Sequence, residues 1–161
     1  MDERRPIVNA GTPAGAGSPP LRPLPALTPE TRPFFTAGLS GELVITTCSD
    51  CGHLSHPPLP VCSSCSSRAV APRPVSGRAR VEAFTINHYP WHPAFPPPYV
   101  VAIVSLVEQD DVRLTTNIVD CDPAAVHIGM RVAVRFAVET DDAGEQVALP
   151  EFAPAPEVTD V

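Results

Sequence analysis

A chain of 161 residues with 11 arginines, no lysine, 18 carboxylates and a net charge of -7 has room for one ordinary domain and a small appendage. This balance argues against a nucleic-acid binder built on a basic groove, because phosphate affinity comes mostly from cationic contacts. The longest apolar run, Tyr99–Val107, is far below the roughly 20 residues a membrane-spanning helix needs, and the charges of the first residues have no apolar stretch behind them to make a secretory signal.

Those exclusions predict a cytoplasmic location, where paired cysteines bind metal more often than they form disulfides. Residues 1–27 are rich in Pro, Gly, Ala and Thr without a period of 2 or 3.6, and they read as a disordered or loosely draped tail. "LTPETRPFFTAGLSGEL" then carries a helix-start signal: Thr28 as cap, Pro29 at the first helical position and Glu30 at the positive end, with Gly38 and Gly41 as stops. Phe34, Phe35 and Leu39 would form one sticky face, for docking on the same domain or on another subunit. "ELVITT" (42–47) reads as a strand into the first cysteine pair, and "AVAPRPV" (69–75) as the strand leaving the second.

From Ser76 the texture becomes that of a β-barrel. Strands are predicted at 77–89, 99–109, 112–120, 130–140 and 146–152, with a proline-stiffened loop at 90–98 and a tight turn at Asp110–Asp111. In "MRVAVRFAVET", Val132, Val134, Phe136 and Val138 point one way and Arg131, Ala133, Arg135 and Ala137 the other. The connection at 121–129, with about one helical turn, sits where an OB barrel places its connecting element. The fold expected is therefore mainly β: a helix and four-cysteine zinc ribbon over 28–75, a five-stranded OB-fold barrel over 76–153, and a frayed tail at 154–161. An SH3-like barrel or a small sandwich has the same periodicity.

The strongest local signal is "CSDCGHLSHPPLPVCSSC". Cys48, Cys51, Cys62 and Cys65 form two C-x-x-C knuckles, the spacing that lets both sulfurs of a knuckle reach one ion. Gly52 can supply the left-handed backbone such knuckles use. Four thiolates close a tetrahedral site and leave no position for a reactive water, which points to structural zinc; a tetrahedron of sulfurs also admits iron. His53 and His56 read as lining the ribbon, and Cys121 as a plain small residue. No organic cofactor is predicted.

No nucleophile elbow, phosphate-cradling glycine loop or carboxylate pair with a base is legible, so no catalytic residue is assigned. Residues 76–161 hold 5 arginines against 13 acids, which makes single-stranded nucleic-acid binding by the barrel the minority reading. The densest aromatic stretch, "NHYPWHPAF", places His88, Tyr89, Trp91, His92 and Phe95 on the stiff loop, where exposed rings mark a partner- or ligand-facing surface.

The order of "GLSGEL", "CSDCG", "HPPLPVCSSC", "VSGRARVEAFTINHYP", "PPYVVAIVSL", "VRLTTNIVD", "IGMRVAVRF" and "LPEFAP" resembles the family first named domain of unknown function 35, across residues 34–154. "GRAR" departs from the smaller glycine-containing turn of many relatives. The resemblance implies a rubredoxin-like zinc ribbon joined to an acyl-CoA-associated OB-fold. It also implies a non-catalytic accessory subunit, hetero-oligomeric with a thiolase-superfamily or lipid-transfer-protein-like enzyme: a thiolase, an acyltransferase or a steroid side-chain retro-aldolase. The partner would carry the catalytic residues and share its acyl-CoA substrate with the subunit. A free-standing acyl-CoA binder is the other implied possibility.

Overall fold

The computed structural model describes residues 22–141 and 143–155. Residues 1–21 of the expected tail and residues 156–161 of the expected frayed end lie outside them. Residues 22–27 follow a defined path, because Arg22 donates to Glu151 Oε1 at 2.8 Å and to Asn117 Oδ1 at 3.4 Å, and its guanidinium lies 5.2 Å from the centre of the Phe95 ring.

Helix α1 spans Arg32–Thr36, later than the capping pattern implied. Thr28 caps the turn that leads into it: its carbonyl accepts from the Arg32 amide at 2.8 Å and its hydroxyl from the Thr31 amide at 3.3 Å, the two bonds a capping residue makes. A 3-10 turn, Ala37–Ser40, follows, and Gly41 ends it in the left-handed region at φ 82°. Gly38 has a different reason to be glycine. It is buried, and a Cβ there would stand 2.3 Å from Phe136 Cδ1 and 2.7 Å from Ala148 Cβ.

Three strands build the ribbon: β1 (Leu43–Cys48), β2 (Leu54–Ser55) and β3 (Val70–Val75), in the order β2-β1-β3, all antiparallel. Pro72 and Pro74 are tolerated because β3 is an edge strand. Five more strands close a barrel: β4 (Arg78–Asn87), β5 (Tyr99–Leu106), β6 (Gln109–Ile118), β7 (Arg131–Thr140) and β8 (Gln146–Pro154). Their order is β4-β5-β6-β8-β7, with β7 returning to β4. Neighbours are antiparallel except for the parallel bridge between β6 and β8 at Ile118 and Phe152. Closure removes the exposed edges an open sheet would present. Between β6 and β7 the expected helical turn is a 3-10 turn at Pro123–Ala125, with Asp122 Oδ1 accepting from the Ala124 amide.

One turn lies elsewhere than expected. Asp110 and Asp111 belong to β6, and the chain reverses at Val107–Glu108. The β5–β6 register shifts after Ser105, so that Leu106 faces Gln109. The outward Asp pair looked like turn chemistry, but polar residues are equally at home on the solvent face of a strand. In β7, Val132 is buried and Val134 and Phe136 pack on the core, whereas Val138 sits at the rim, 52% exposed.

The barrel core is apolar and tightly closed: Phe152, Val104 and Leu106 are fully buried, with Val81, Val100 and Val132 beside them. Leu43, Ile45 and Leu54 of the ribbon belong to the same cluster. The metal-binding lobe therefore shares a core with the barrel.

Candidate functional site

Each knuckle is organised by the same backbone pattern. In the first, Cys48 O accepts from Gly52 N at 2.9 Å, and Cys48 N donates to His53 O at 2.9 Å. In the second, Cys62 O accepts from Ser66 N at 3.0 Å, and Cys62 N donates to Ser67 O at 2.8 Å. Gly52 and Ser66 occupy equivalent places and both are left-handed, at φ 76° and 61°. Side chains tie the knuckles together: Ser67 Oγ donates to Asp50 Oδ2 at 2.6 Å, and His53 Nε2 lies 3.0 Å from Ser63 Oγ.

This repeat brings all four sulfurs within 4.8 Å of one another, with Cys48 and Cys62 buried and Cys51 and Cys65 exposed. Two Sγ–Sγ separations, Cys48–Cys65 and Cys51–Cys62, are 3.6 Å. A tetrahedron with Zn–S bonds of about 2.3 Å has edges of about 3.8 Å, so the donor set fits structural zinc. The backbone amide of Cys65, with smaller contributions from neighbouring groups, holds Cys62 down to about 6. At Cys65 the Ser67 amide pulls the other way, but the sulfurs of Cys51, Cys48 and Cys62 together with burial push it up to about 12. Four thiols this close do not all ionise without a cation among them.

Besides the shared core, a side chain of the barrel ties down the clip. Gln109, first residue of β6, accepts from Leu54 N at 2.9 Å and donates to Leu54 O at 3.0 Å. Its amide also donates to Asp111 Oδ1 at 2.6 Å. Sequence reasoning missed Gln109, because a single glutamine at a strand start carries no signal for a partner 55 residues away.

The aromatic loop joins β4 to β5, one of the two loops through which OB barrels commonly engage ligands. Tyr89 and Trp91 are 63% and 71% exposed, with ring centres 4.9 Å apart, and Trp91 Nε1 donates to Asn87 Oδ1 at 3.2 Å. His88 is exposed. His92 braces the loop by accepting from Ala94 N at 3.2 Å, and its ring lies 5.8 Å from that of Phe95. Phe95 turns inward, between His92, Tyr99 and Arg22. The loop thus splits into an outer ledge of Tyr89 and Trp91 and an inner hinge at His92 and Phe95.

Phe34, Phe35 and Leu39 do not form one face. Phe34 packs on the core, edge-on to Phe35 at 5.0 Å and over the His56 ring at 4.7 Å. Leu39, in the 3-10 turn, stays 45% exposed. Burial lowers the pKa of His56, and burial followed by the charges of Asp122 and Asp120 raises that of the Cys121 thiol. Between the Arg22 strap, α1 and the β6–β8 face lies a cleft of about 630 Å³ lined by Phe34, Phe35, Leu114 and Leu149. It is assembled from segments distant in sequence, so no local pattern announces it.

Two family models match in succession: "ChsH2, rubredoxin-like zinc ribbon domain" over residues 35–71 and "ChsH2, C-terminal OB-fold domain" over 72–137. A probable enoyl-CoA hydratase alpha subunit of Thermomonospora curvata is 38% identical over 135 residues, 84% of this chain but 40% of that protein, so the chain spans two fifths of this relative's length. A DUF35 domain-containing scaffold protein of Methanocaldococcus jannaschii is 31% identical over 107 residues, 65% of this chain and 74% of that protein. Among solved structures, a chain of the "Ltp2-ChsH2(DUF35) aldolase" superposes with a TM-score of 0.70 at 37% identity, covering 81% of this chain and 98% of that one.

Proposed function

The chain belongs to the ChsH2 (DUF35) family of zinc-ribbon and OB-fold proteins, and on that premise we propose that it is a non-catalytic, zinc-stapled subunit that binds and supports a thiolase-like acyl-CoA enzyme, in the first place a retro-aldolase. The observation that carries this reading is the superposition on nearly the whole of one chain of an aldolase named for two components. The scaffold name of the archaeal relative supports the same role. The hydratase named for the longer relative is an activity of a protein about twice as long, and it lends only the acyl-CoA substrate class.

In this reading structural zinc, held by Cys48, Cys51, Cys62 and Cys65, fixes the ribbon, and Gln109 with the shared core fixes the ribbon against the barrel. The rigid body then presents the Tyr89–Trp91 ledge to the partner. Aromatic rings on a proline-stiffened loop bury a large apolar area with little rotamer entropy to lose, which is how a small surface anchors an interface. The inner Phe95 sets the angle of the ledge.

The test is co-expression with the thiolase-superfamily protein of the same host, followed by native mass spectrometry and an assay for cleavage of a β-hydroxyacyl thioester. A complex whose cleavage activity needs this chain is expected. Trp91→Ala with Phe95→Ala should weaken assembly at least tenfold while zinc content stays at one per chain. A chain that remains alone and leaves the enzyme's activity unchanged overturns the proposal.

A further inference from the structure

On the outer wall of the barrel, away from the aromatic loop, β4 and β7 bring three arginines to one small concavity. The register places Arg80 directly opposite Arg131, and Arg78 stands two residues before Arg80 on the same face. All three are exposed and line a cavity of about 220 Å³ whose walls are completed by Ala79, Val107, Val132 and Ala155. Like charges directly across a strand pair lie about 5 Å apart at Cβ and destabilise the sheet. No carboxylate among the described residues lines this cavity. Glu82 is ion-paired with Arg113, and Glu108, which follows Val107 in the chain, accepts from the Ser76 amide at 2.7 Å and is attracted to the charge of Arg78. Arg22, Arg32, Arg113 and Arg135 each have a carboxylate partner, whereas no ion pair among the described residues involves Arg78, Arg80 or Arg131.

We propose that Arg78, Arg80 and Arg131 form a binding site for a phosphoryl-bearing small molecule. Three guanidiniums around one concavity call for more than one negative charge in a compact space, which a phosphate monoester or a pyrophosphate supplies and a single carboxylate does not. The planar fork of arginine matches phosphate oxygens two at a time. The repulsion between Arg80 and Arg131 across the strand pair is relieved by a bound anion, so ligand and fold are coupled.

The experiment uses the full zinc-loaded chain at low ionic strength and titrates inorganic phosphate and inorganic pyrophosphate, with melting temperature and arginine side-chain NMR shifts as readouts and zinc content checked afterwards. Pyrophosphate should raise the melting temperature, with shifts confined to Arg78, Arg80 and Arg131. Arg80→Gln and Arg131→Gln should lower pyrophosphate affinity at least tenfold. Without ligand, the same two variants should melt higher than the unmodified chain, because the facing charges are gone. Arg113→Gln, outside the cavity, should leave the affinity unchanged. An equal response of all variants, or no response of the unmodified chain, overturns the site. Tight oligonucleotide binding that pyrophosphate does not displace also overturns it, in favour of a nucleic-acid surface.

Discussion

Gln109→Ala tests how the metal lobe is held. The substitution removes two hydrogen bonds to the Leu54 backbone, at 2.9 and 3.0 Å, and leaves an amide and a carbonyl of a residue only 9% exposed without those partners. Each neutral hydrogen bond contributes about 0.5–1.5 kcal/mol net, and each buried orphan costs about 1–3 kcal/mol where water does not replace the partner. Water reaches part of this edge, since Gln109 itself is half-buried. The sum is then about 2–4 kcal/mol, or a drop of about 1–2 M in the urea midpoint at an m-value of about 2 kcal/mol/M.

Because Leu54 lies in the shared core beside Leu43 and Ile45, the loss should propagate to the β1–β2 pairing, and amide exchange at Leu54 and Thr47 should accelerate before that of β5. Gln109→Glu separates the two bonds. Its carboxylate still accepts from Leu54 N but faces Leu54 O and Asp111 Oδ1, to both of which the native amide donates. That variant should be at least as unstable as Gln109→Ala at pH 7 and should recover as the pH falls and the new carboxyl takes up a proton. An unchanged urea midpoint and unchanged Leu54 protection in Gln109→Ala would refute the anchoring role.

Cys48→Ser should lose stoichiometric zinc and the protection of the ribbon amides, because an opened four-thiolate site forfeits much of the about 10–16 kcal/mol that structural zinc contributes in small peptides; metal analysis and hydrogen exchange check it. Gly38→Ala should destabilise by about 1–3 kcal/mol in thermal melts, since the added methyl meets Phe136 and the Cβ of Ala148 and the 3-10 turn has to lift from the barrel. Burial lowers the pKa of His56 below its ordinary 6.5, so the folded state resists protonation more than the unfolded chain does. Its contribution to stability is full above pH 6.5 and is lost as the pH falls from 6.5 through the folded value. In His56→Gln the melting temperature should fall less across that window than in the unmodified chain.

What the sequence revealed was local. C-x-x-C spacing needs only the reach of one knuckle, and the alternation in β7 needs only the period of a strand, so the clip and most barrel strands were legible without any knowledge of neighbours. The second knuckle tested that limit: Ser66 takes the same left-handed turn as Gly52, and a serine in "CSSCSS" gives no hint of it. The Asp pair at 110–111 misled for a related reason. Its residue types are those of a turn, and only the β5–β6 register shows that the chain has already reversed.

The features that join parts of the fold were silent because their causes lie far away along the chain. Arg22 looks like one more charge in a proline-rich tail, yet it closes an ion pair with Glu151 across 129 residues. Arg80 and Arg131 are ordinary outward strand residues until barrel closure sets them face to face. The two glycines of "AGLSG" make the point within five residues. Gly41 is required by its own backbone, at φ 82°, with nothing within 4 Å of where a Cβ would lie. Gly38 is required by Phe136 and Ala148, about a hundred positions later. A helix-stop rule sees both as the same signal, but only the first is a property of the segment itself. The second is a property of the packing, and packing is what joins the four-cysteine clip and the barrel around one core.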